Sequence, residues 1–343
     1  MKFVGIDLHK QTISVCVVVK VRGKKVVLER RRFACRDTAA IVTWLKGLGA
    51  FAMVVEATSS YEWLVQLAEP LARRIVLAHP GKLRVIAESK RKSDKLDAQV
   101  LAEFLASDEI PRAYRPTPRI RAHRTLVRYR HYVQRRITSV KNKLRHLLAW
   151  YNADIPGLFT AEGREHLAAV KLSPEDRFLA EQLSGELEQH QTRLAATNKT
   201  LREFAKQASL SEQEARAVLK SMPCMGVVTI DVVLAELGDY SRFSSEREVM
   251  SYAGLVPGLR ESNGKTKQLG ITKQGSRLLR WAMIELAWRM VGKSRLWGQR
   301  FTRLEKRAGS KKAIVAMARR LLGAVFAMLR TGKRYAWGHD VAA

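Results

Sequence analysis

Cysteine is scarce: the 343-residue sequence has three, Cys16, Cys35 and Cys224. None stands in a Cys-x-x-Cys pair, so a zinc ribbon or a disulfide framework is not expected, and a reducing compartment fits. Long apolar runs are also missing. None reaches the roughly 18 residues of a membrane span, and the N-terminus lacks a signal-peptide layout. Acid is the third shortage. Lys and Arg number 62 against 32 Asp and Glu, a net charge of +30. So much like charge is costly unless an anion is bound, and nucleic-acid phosphate or a lipid surface are the obvious anions. Hydrophobic residues still make up 46% of the chain, which rules out a disordered basic tail. At roughly 100–200 residues per domain, the length suggests two or three domains.

The positive charge is unevenly placed. Residues 111–150 hold twelve Lys/Arg and no carboxylate, and residues 260–334 hold twenty against Glu261, Glu285 and Glu305. Residues 172–216, by contrast, are rich in Glu and nearly balanced. A short charge run is usually a solvated face. Two long basic blocks around a neutral spacer suggest two nucleic-acid contact surfaces. The basic helices lack a Trp/Phe/Leu insertion face, which disfavours a membrane surface.

The pattern predicts strands over 2–8, 12–20 and 25–34, the last two joined through Arg22-Gly23-Lys24. A helix capped at Asp37-Thr38 runs to about 48, a strand covers 52–56, a helix 60–72 and a strand 75–77. His79-Pro80-Gly81 breaks the pattern, and a helix follows over about 94–106. A meander followed by alternating helix and strand predicts a mixed sheet with helices on its faces. Pro111 to Pro118 reads as a boundary. Two long polar helices over 119–151 and 174–207 suggest a protruding arm. The remainder is mostly helical, with an irregular centre at 256–276. The fold class is α/β plus α.

Four acids stand out by position. Asp7 ends the first strand, Glu56 ends the fourth, and Asp94 and Asp97 lie three apart at a helix start, on one face. Each alone has an ordinary reading as a cap, a surface acid or a first-turn acid on the helix dipole. Together they can converge at one end of a sheet. Clustered carboxylates repel unless cations neutralise them, and oxygen-only donors select Mg²⁺ or Mn²⁺ over zinc. Two such ions about 4 Å apart can clamp the attacking and leaving oxygens of a phosphodiester. His9 beside Asp7 has no histidine partner at ligand spacing.

These residues carry a resemblance. Phe-Val-Gly-Ile-Asp7-Leu-His-Lys, Val-Val-Glu56-Ala-Thr and Lys-Ser-Asp94-Lys-Leu-Asp97-Ala resemble the Asp-Glu-Asp-Asp set of a RuvC-like, RNase H-fold domain. More narrowly, they resemble the DEDD transposases of the one-ten family of insertion sequences and the related Piv DNA invertases. Ser251-Tyr-Ala-Gly-Leu-Val-Pro257, Arg260-Glu-Ser-Asn-Gly-Lys265 and Gly270-Ile-Thr-Lys-Gln-Gly-Ser276 resemble the C-terminal transposase domain of the same family. There a serine after the Ala-Gly-Leu-x-Pro segment is the nucleophile, and Ser262 stands at that position. By itself Ser262-Asn-Gly is an ordinary turn. Ser276 and Ser251 are its nearest competitors, and Ser276 better fits a helix cap. Pro223-Cys-Met-Gly226 resembles the family's helix-hairpin-helix turn with its first Gly replaced by Cys224, which puts the tight turn and its phosphate contact in question.

The resemblance implies three parts: a RuvC-like catalytic domain over 1–113, a basic helical coiled-coil arm over 114–208, and a mostly helical transposase domain over 209–343. It implies an Mg²⁺-dependent recombinase that excises and inserts mobile DNA through a covalent phosphoserine link. Donor and target DNA and a structured bridge RNA are the implied partners. A homodimer, becoming a tetramer in the synaptic complex, is the implied assembly, in the cytoplasm of a bacterium or archaeon and associated with the nucleoid. Arg121, Arg124, Arg128, Arg135, Arg136, Lys141, Lys143, Lys265 and Lys273 are the expected nucleic-acid contacts. A site-specific invertase and a Holliday-junction nuclease are the alternatives.

Overall fold

The computed structural model describes residues 1–58, 60–86, 94–262 and 265–336; for 84–86, 94–97, 259–262 and 265–268 it describes the backbone alone. The chain divides into two compact units, Met1–Arg115 and Pro116–Ala343.

The first unit is built on a five-stranded sheet. β1 (Lys2–Leu8), β2 (Thr12–Val21) and β3 (Lys24–Ala34) form an antiparallel meander. β4 (Phe51–Glu56) and β5 (Arg74–Ala78) then add in parallel, giving the order β3-β2-β1-β4-β5. β-branched runs such as Val15–Val19 favour the pleated surface, and their alternation divides the sheet into two faces. Val4, Ile6, Val15, Val17, Met53 and Val55 point to one face, where α1 (Thr38–Gly47) and α2 (Glu62–Ala68) cover them with Trp44, Leu45, Leu64 and Val65. The opposite face is covered by α4 (Asp94–Ser107), preceded by α3 (Pro80–Ile86). Leu101 and Leu105 pack there on Ala52, Val54 and Val76, and Ala98 and Ala102 on Cys16 and Val18. Gly5 is where α4 crosses β1. A Cβ there would lie 2.0 Å from the Ala98 carbonyl oxygen and 2.5 Å from the Ala102 nitrogen. Arg115 ties the end of this unit to α2 through Glu62 (2.7 Å) and Glu69 (2.8 Å).

The second unit opens with α5 (Pro118–Trp150), capped by Thr117. After α6 (Ala161–Ala169), α7 (Pro174–Lys206) returns beside it. Val133, Ile137, Val140, Leu144 and Leu147 alternate steps of four and three and meet Ala180, Leu183 and Leu187, the spacing of a coiled-coil seam. The pair is antiparallel: Tyr151 at the end of α5 donates to Asp176 at the start of α7, and Arg119 at the start of α5 donates to the Phe204 carbonyl near the end of α7.

The remaining helices are α8 (Leu210–Lys220), α9 (Val227–Leu237), α10 (Glu246–Tyr252), α11 (Arg277–Lys293), α12 (Arg295–Ala308) and α13 (Ser310–Thr331). They enclose a core that includes Leu219, Val233, Leu286, Met317 and Leu321. A two-stranded hairpin, β6 (Pro257–Ser262) and β7 (Lys265–Ile271), interrupts them. No helix among the described residues is long and apolar enough to cross a membrane.

Three elements differ from the sequence expectation. Pro80, expected in a break after the fifth strand, begins a helix, because the first helical position needs no N–H donor. α6, which Thr160 caps, fills the connector between the long helices. Residues 257–271, expected to be irregular, pair as the β6–β7 hairpin.

Candidate active site

The last rung joining β1 to β4 is Ile6 to Val55. Asp7 and Glu56 follow it on neighbouring strands. Strand alternation puts Asp7 on the same face as Gly5 and Glu56 on the same face as Val54, the face covered by α4. Packing sets the direction of α4. Its Ala98 end crosses Gly5, while Leu105 shares a cluster with Phe3, so the helix runs back along β1 and begins toward the Asp7 end. Asp94 and Asp97 form that first turn, and their side chains lie outside the described residues. His9 Nε2 stands 3.1 Å from Asp7 Oδ2, and the Asp7 side chain is 17% exposed. Among the described residues no group of three or more His, Cys, Asp or Glu could hold a metal ion.

Sequence reasoning missed Ser14. It lies directly across from Asp7 in the β1–β2 register and is buried. Opposite Cys16 and Ser14 on β3 stand Arg30 and Arg32; Arg30 donates to Gln99 of α4, and Gln99 donates to Glu103. This basic and amide row flanks the carboxylates. Burial raises the thiol pKa of Cys16, against the lowering influence of Arg30.

In the second unit Ser262 closes β6 opposite Lys265, and the side chains of both lie outside the described residues, as do 263–264 altogether. The base of this hairpin is tightly built. A Cβ on Gly275 (φ +73°) would fall 1.9 Å from the Tyr252 carbonyl oxygen, and one on Gly254 (φ +66°) 2.1 Å from that of Gln274. Only glycine takes such a conformation at such an approach without strain. Arg280 clamps the two segments, donating to the carbonyls of Ala253 (2.7 Å), Gln274 (3.3 Å) and Lys273 (3.2 Å). The Ala-Gly-Leu and Lys-Gln-Gly-Ser segments therefore make the platform of the hairpin. Ser276 caps α11, its Oγ accepting from the Leu279 N–H. Lys273 is exposed beside this platform.

The turn before α9 is tight despite its cysteine: Cys224 takes φ +62°, and Gly226 caps the helix. The cationic side chains of α5 divide into two groups. Arg124 donates to the carbonyls of Ala235 (2.7 Å) and Glu236 (2.9 Å), and Arg128 makes a paired contact with the buried Glu236 carboxylate (2.8 and 2.9 Å). Arg121 donates to the Pro116 carbonyl, and Lys141 lies 4.6 Å from the Phe159 ring centre. Arg135, Arg136 and Lys143 are exposed.

Sequence comparison gives two family matches. Residues 4–153 match a model described as a transposase, the DEDD transposase of IS110, and residues 216–303 match the transposase IS116/IS110/IS902 family. The transposase for insertion sequence element IS1111A of Coxiella burnetii is 25% identical over 355 residues, 98% of this chain and 92% of its own. The transposase for insertion sequence element IS1328 of Yersinia enterocolitica is 24% identical over 83% of this chain and 82% of its own. The pilin gene-inverting protein of Moraxella bovis is 22% identical over 97% of both chains. The protein is thus a transposase, an enzyme of DNA strand cleavage and rejoining. It belongs to the IS110 family.

Proposed function

We propose that this protein excises and inserts an insertion sequence through a covalent phosphoserine link, with Ser262 as nucleophile. The carrying observation is the pair Asp7 and Glu56, one step beyond a shared rung and facing the helix that begins with Asp94 and Asp97. Adjacent carboxylates with oxygen-only donors suit a hard divalent cation, and we assign Asp7, Glu56, Asp94 and Asp97 as holders of Mg²⁺, with Mn²⁺ as a substitute. When bound, the ion would offset negative charge gathering on the phosphate. A RuvC-like RNase H fold for the first unit accords with the family match.

The serine step balances simply. Ser262 Oγ attacks phosphorus, a new O–P bond forms, and a deoxyribose oxygen leaves with a proton. The serine proton passes to a base. Rejoining reverses this: a deoxyribose hydroxyl attacks the phosphoserine, and Ser262 regains its proton. The link keeps the phosphodiester bond energy, so strands can be exchanged without an external energy source.

The wider reading follows the family resemblance. It comprises a catalytic domain over 1–113, an arm over 114–208 and a serine domain over 209–343. A bridge RNA guides the enzyme to donor and target DNA, the dimer pairs into a synaptic tetramer, and the enzyme acts in the cytoplasm at the nucleoid. Asp7→Asn should abolish strand cleavage at ordinary Mg²⁺ while leaving DNA binding largely intact, as should chelation of the metal in the wild type. Undiminished cleavage by Asp7→Asn would sink the carboxylate assignment. Denatured wild-type reactions should also yield a protein–DNA adduct that mass spectrometry places on Ser262. No adduct, with normal cutting by Ser262→Ala, would favour a hydrolytic junction nuclease.

Likeness to the pilin gene-inverting protein over 97% of both chains favours a second reading, site-specific inversion. The DNA product separates the two: an excised circle supports transposition, and an inverted segment between fixed sites supports the alternative.

A further inference from the structure

The outward face of α5 has an unusual make-up. Tyr129, Tyr132, Arg136, Lys143, His146 and Trp150 recur at steps of three, four and, once, seven residues, so they form one stripe about 30 Å long at 1.5 Å per residue. The stripe flanks the seam with α7, whose residues on α5 are Val133, Ile137, Val140, Leu144 and Leu147, and meets it at Leu147. Its aromatic rings are exposed: Tyr129 by 44%, Tyr132 by 52% and Trp150 by 75%. None of the three belongs to a hydrophobic cluster. The two tyrosine rings are inclined at 27° with centres 6.2 Å apart, and the Arg136 guanidinium stands 5.8 Å from the centre of Tyr132. At its far end Trp150 borders a groove of about 660 Å³ between α5 and α7, lined also by Lys143, His146, Leu147 and Leu179.

We infer that this stripe is a stacking track for an unpaired nucleic-acid strand. Charge argues against pairing of the stripe with itself. Residues 111–150 carry no acid, so a second copy laid on the same stripe would set cation against cation. A duplex offers phosphates but keeps its base faces inside the stack, which leaves the exposed rings without a partner. An unpaired strand offers both: phosphates for Arg136 and Lys143, and open base faces for Tyr129, Tyr132 and Trp150. The groove at Trp150 is large enough to receive a base. Cleavage and rejoining of DNA generate unpaired strands, so such a ligand is at hand. The inference rests on the reading of this face as a nucleic-acid surface and adds which form of nucleic acid it takes.

The test uses the full chain and three probes: an unstructured DNA oligonucleotide, its RNA counterpart and the DNA duplex of equal length. Tyr129→Ala with Tyr132→Ala should weaken binding of at least one single strand by about 10-fold or more per ring and change duplex binding less than twofold. The rings are uncharged, so the slope of affinity against salt should not change, whereas Arg136→Ala should flatten it. Phenylalanine at both positions should restore binding and leucine should not. Comparison of the DNA and RNA arms identifies the sugar. Unchanged single-strand binding, or equal loss on duplex, overturns the track, as does a loss that follows the dimer–monomer balance in sedimentation. A wild-type protein that binds none of the probes would instead remove the underlying nucleic-acid reading.

Discussion

Gly5 sets how closely α4 approaches β1 at the carboxylate end. An added methyl would meet the Ala98 carbonyl and the Ala102 nitrogen, both backbone atoms of α4, so a rotamer change cannot relieve it. Gly5→Ala should therefore lower stability by about 1–3 kcal/mol. It should also lift the first turn of α4, with Asp94 and Asp97, away from β1, so that cleavage falls further than the melting temperature explains. Wild-type melting and cleavage together would show that α4 yields freely. At this scale the sequence is partly legible. Asp7 and Glu56 announce themselves as acids at the ends of apolar runs. Ser14 does not, because a serine inside a β-branched run means nothing until the register sets it opposite Asp7. Cys224 misleads, since a residue with a Cβ is a poor candidate for φ +62°.

Among helices, charge counts overstate binding surface. Glu236 is fully buried and Arg128, its partner, is 58% exposed, so Arg128→Ala should destabilise by about 1–3 kcal/mol, less than the loss of a wholly buried pair. Arg135, Arg136 and Lys143 have no such duty. Their triple Ala variant should melt like wild type and lose nearly one unit of log–log salt slope per duplex phosphate contact, about 0.9 each. Equal melting of the Arg128→Ala and wild-type proteins would contradict this division. Acid should loosen the same region. Burial raises the Glu212 pKa, but hydrogen bonds from Arg119 (2.6 Å) and Arg216 (3.0 Å) outweigh it and hold the carboxyl below its ordinary 4.5. A depressed carboxylate contributes stability that is present above its unfolded value and lost as pH falls through the folded one. Melting temperature should therefore drop below about pH 4.5, and the Glu212→Gln variant should show a shallower drop. The long helices were legible from period and caps. The β6–β7 hairpin was not, because Gly-Leu-Arg-Glu-Ser has no apolar alternation and its platform depends on Arg280, which lies in the following helix.

For the molecule as a whole, the carboxylates and Ser262 belong to different compact units. Catalysis that requires both can pair them within one chain or between chains. Mixing the inactive Asp7→Asn and Ser262→Ala proteins should restore some strand exchange if the pairing crosses subunits, and none if each chain completes its own site. Short motifs in each unit, around Asp7 and Glu56 in the first and in the Ala-Gly-Leu-Val-Pro and Lys-Gln-Gly-Ser segments of the second, made the family readable, whereas the α5–α7 pair is specified mainly by periodicity.

The order β3-β2-β1-β4-β5 leaves two strands with a free side. An open strand is a template on which another chain can add, and growth of that kind ends in fibrils. β3 bears Lys24, Lys25, Glu29, Arg30, Arg31 and Arg32 and is largely exposed, so an incoming strand would have to bury its charge. β5 is only five residues long, and a bridge from Ala78 to Arg112 occupies its outer side. The basic residues of β3 thus also serve the solubility of a protein that must remain dispersed until it finds its substrate, and replacing Arg31 and Lys25 with valine should show first as aggregation on expression.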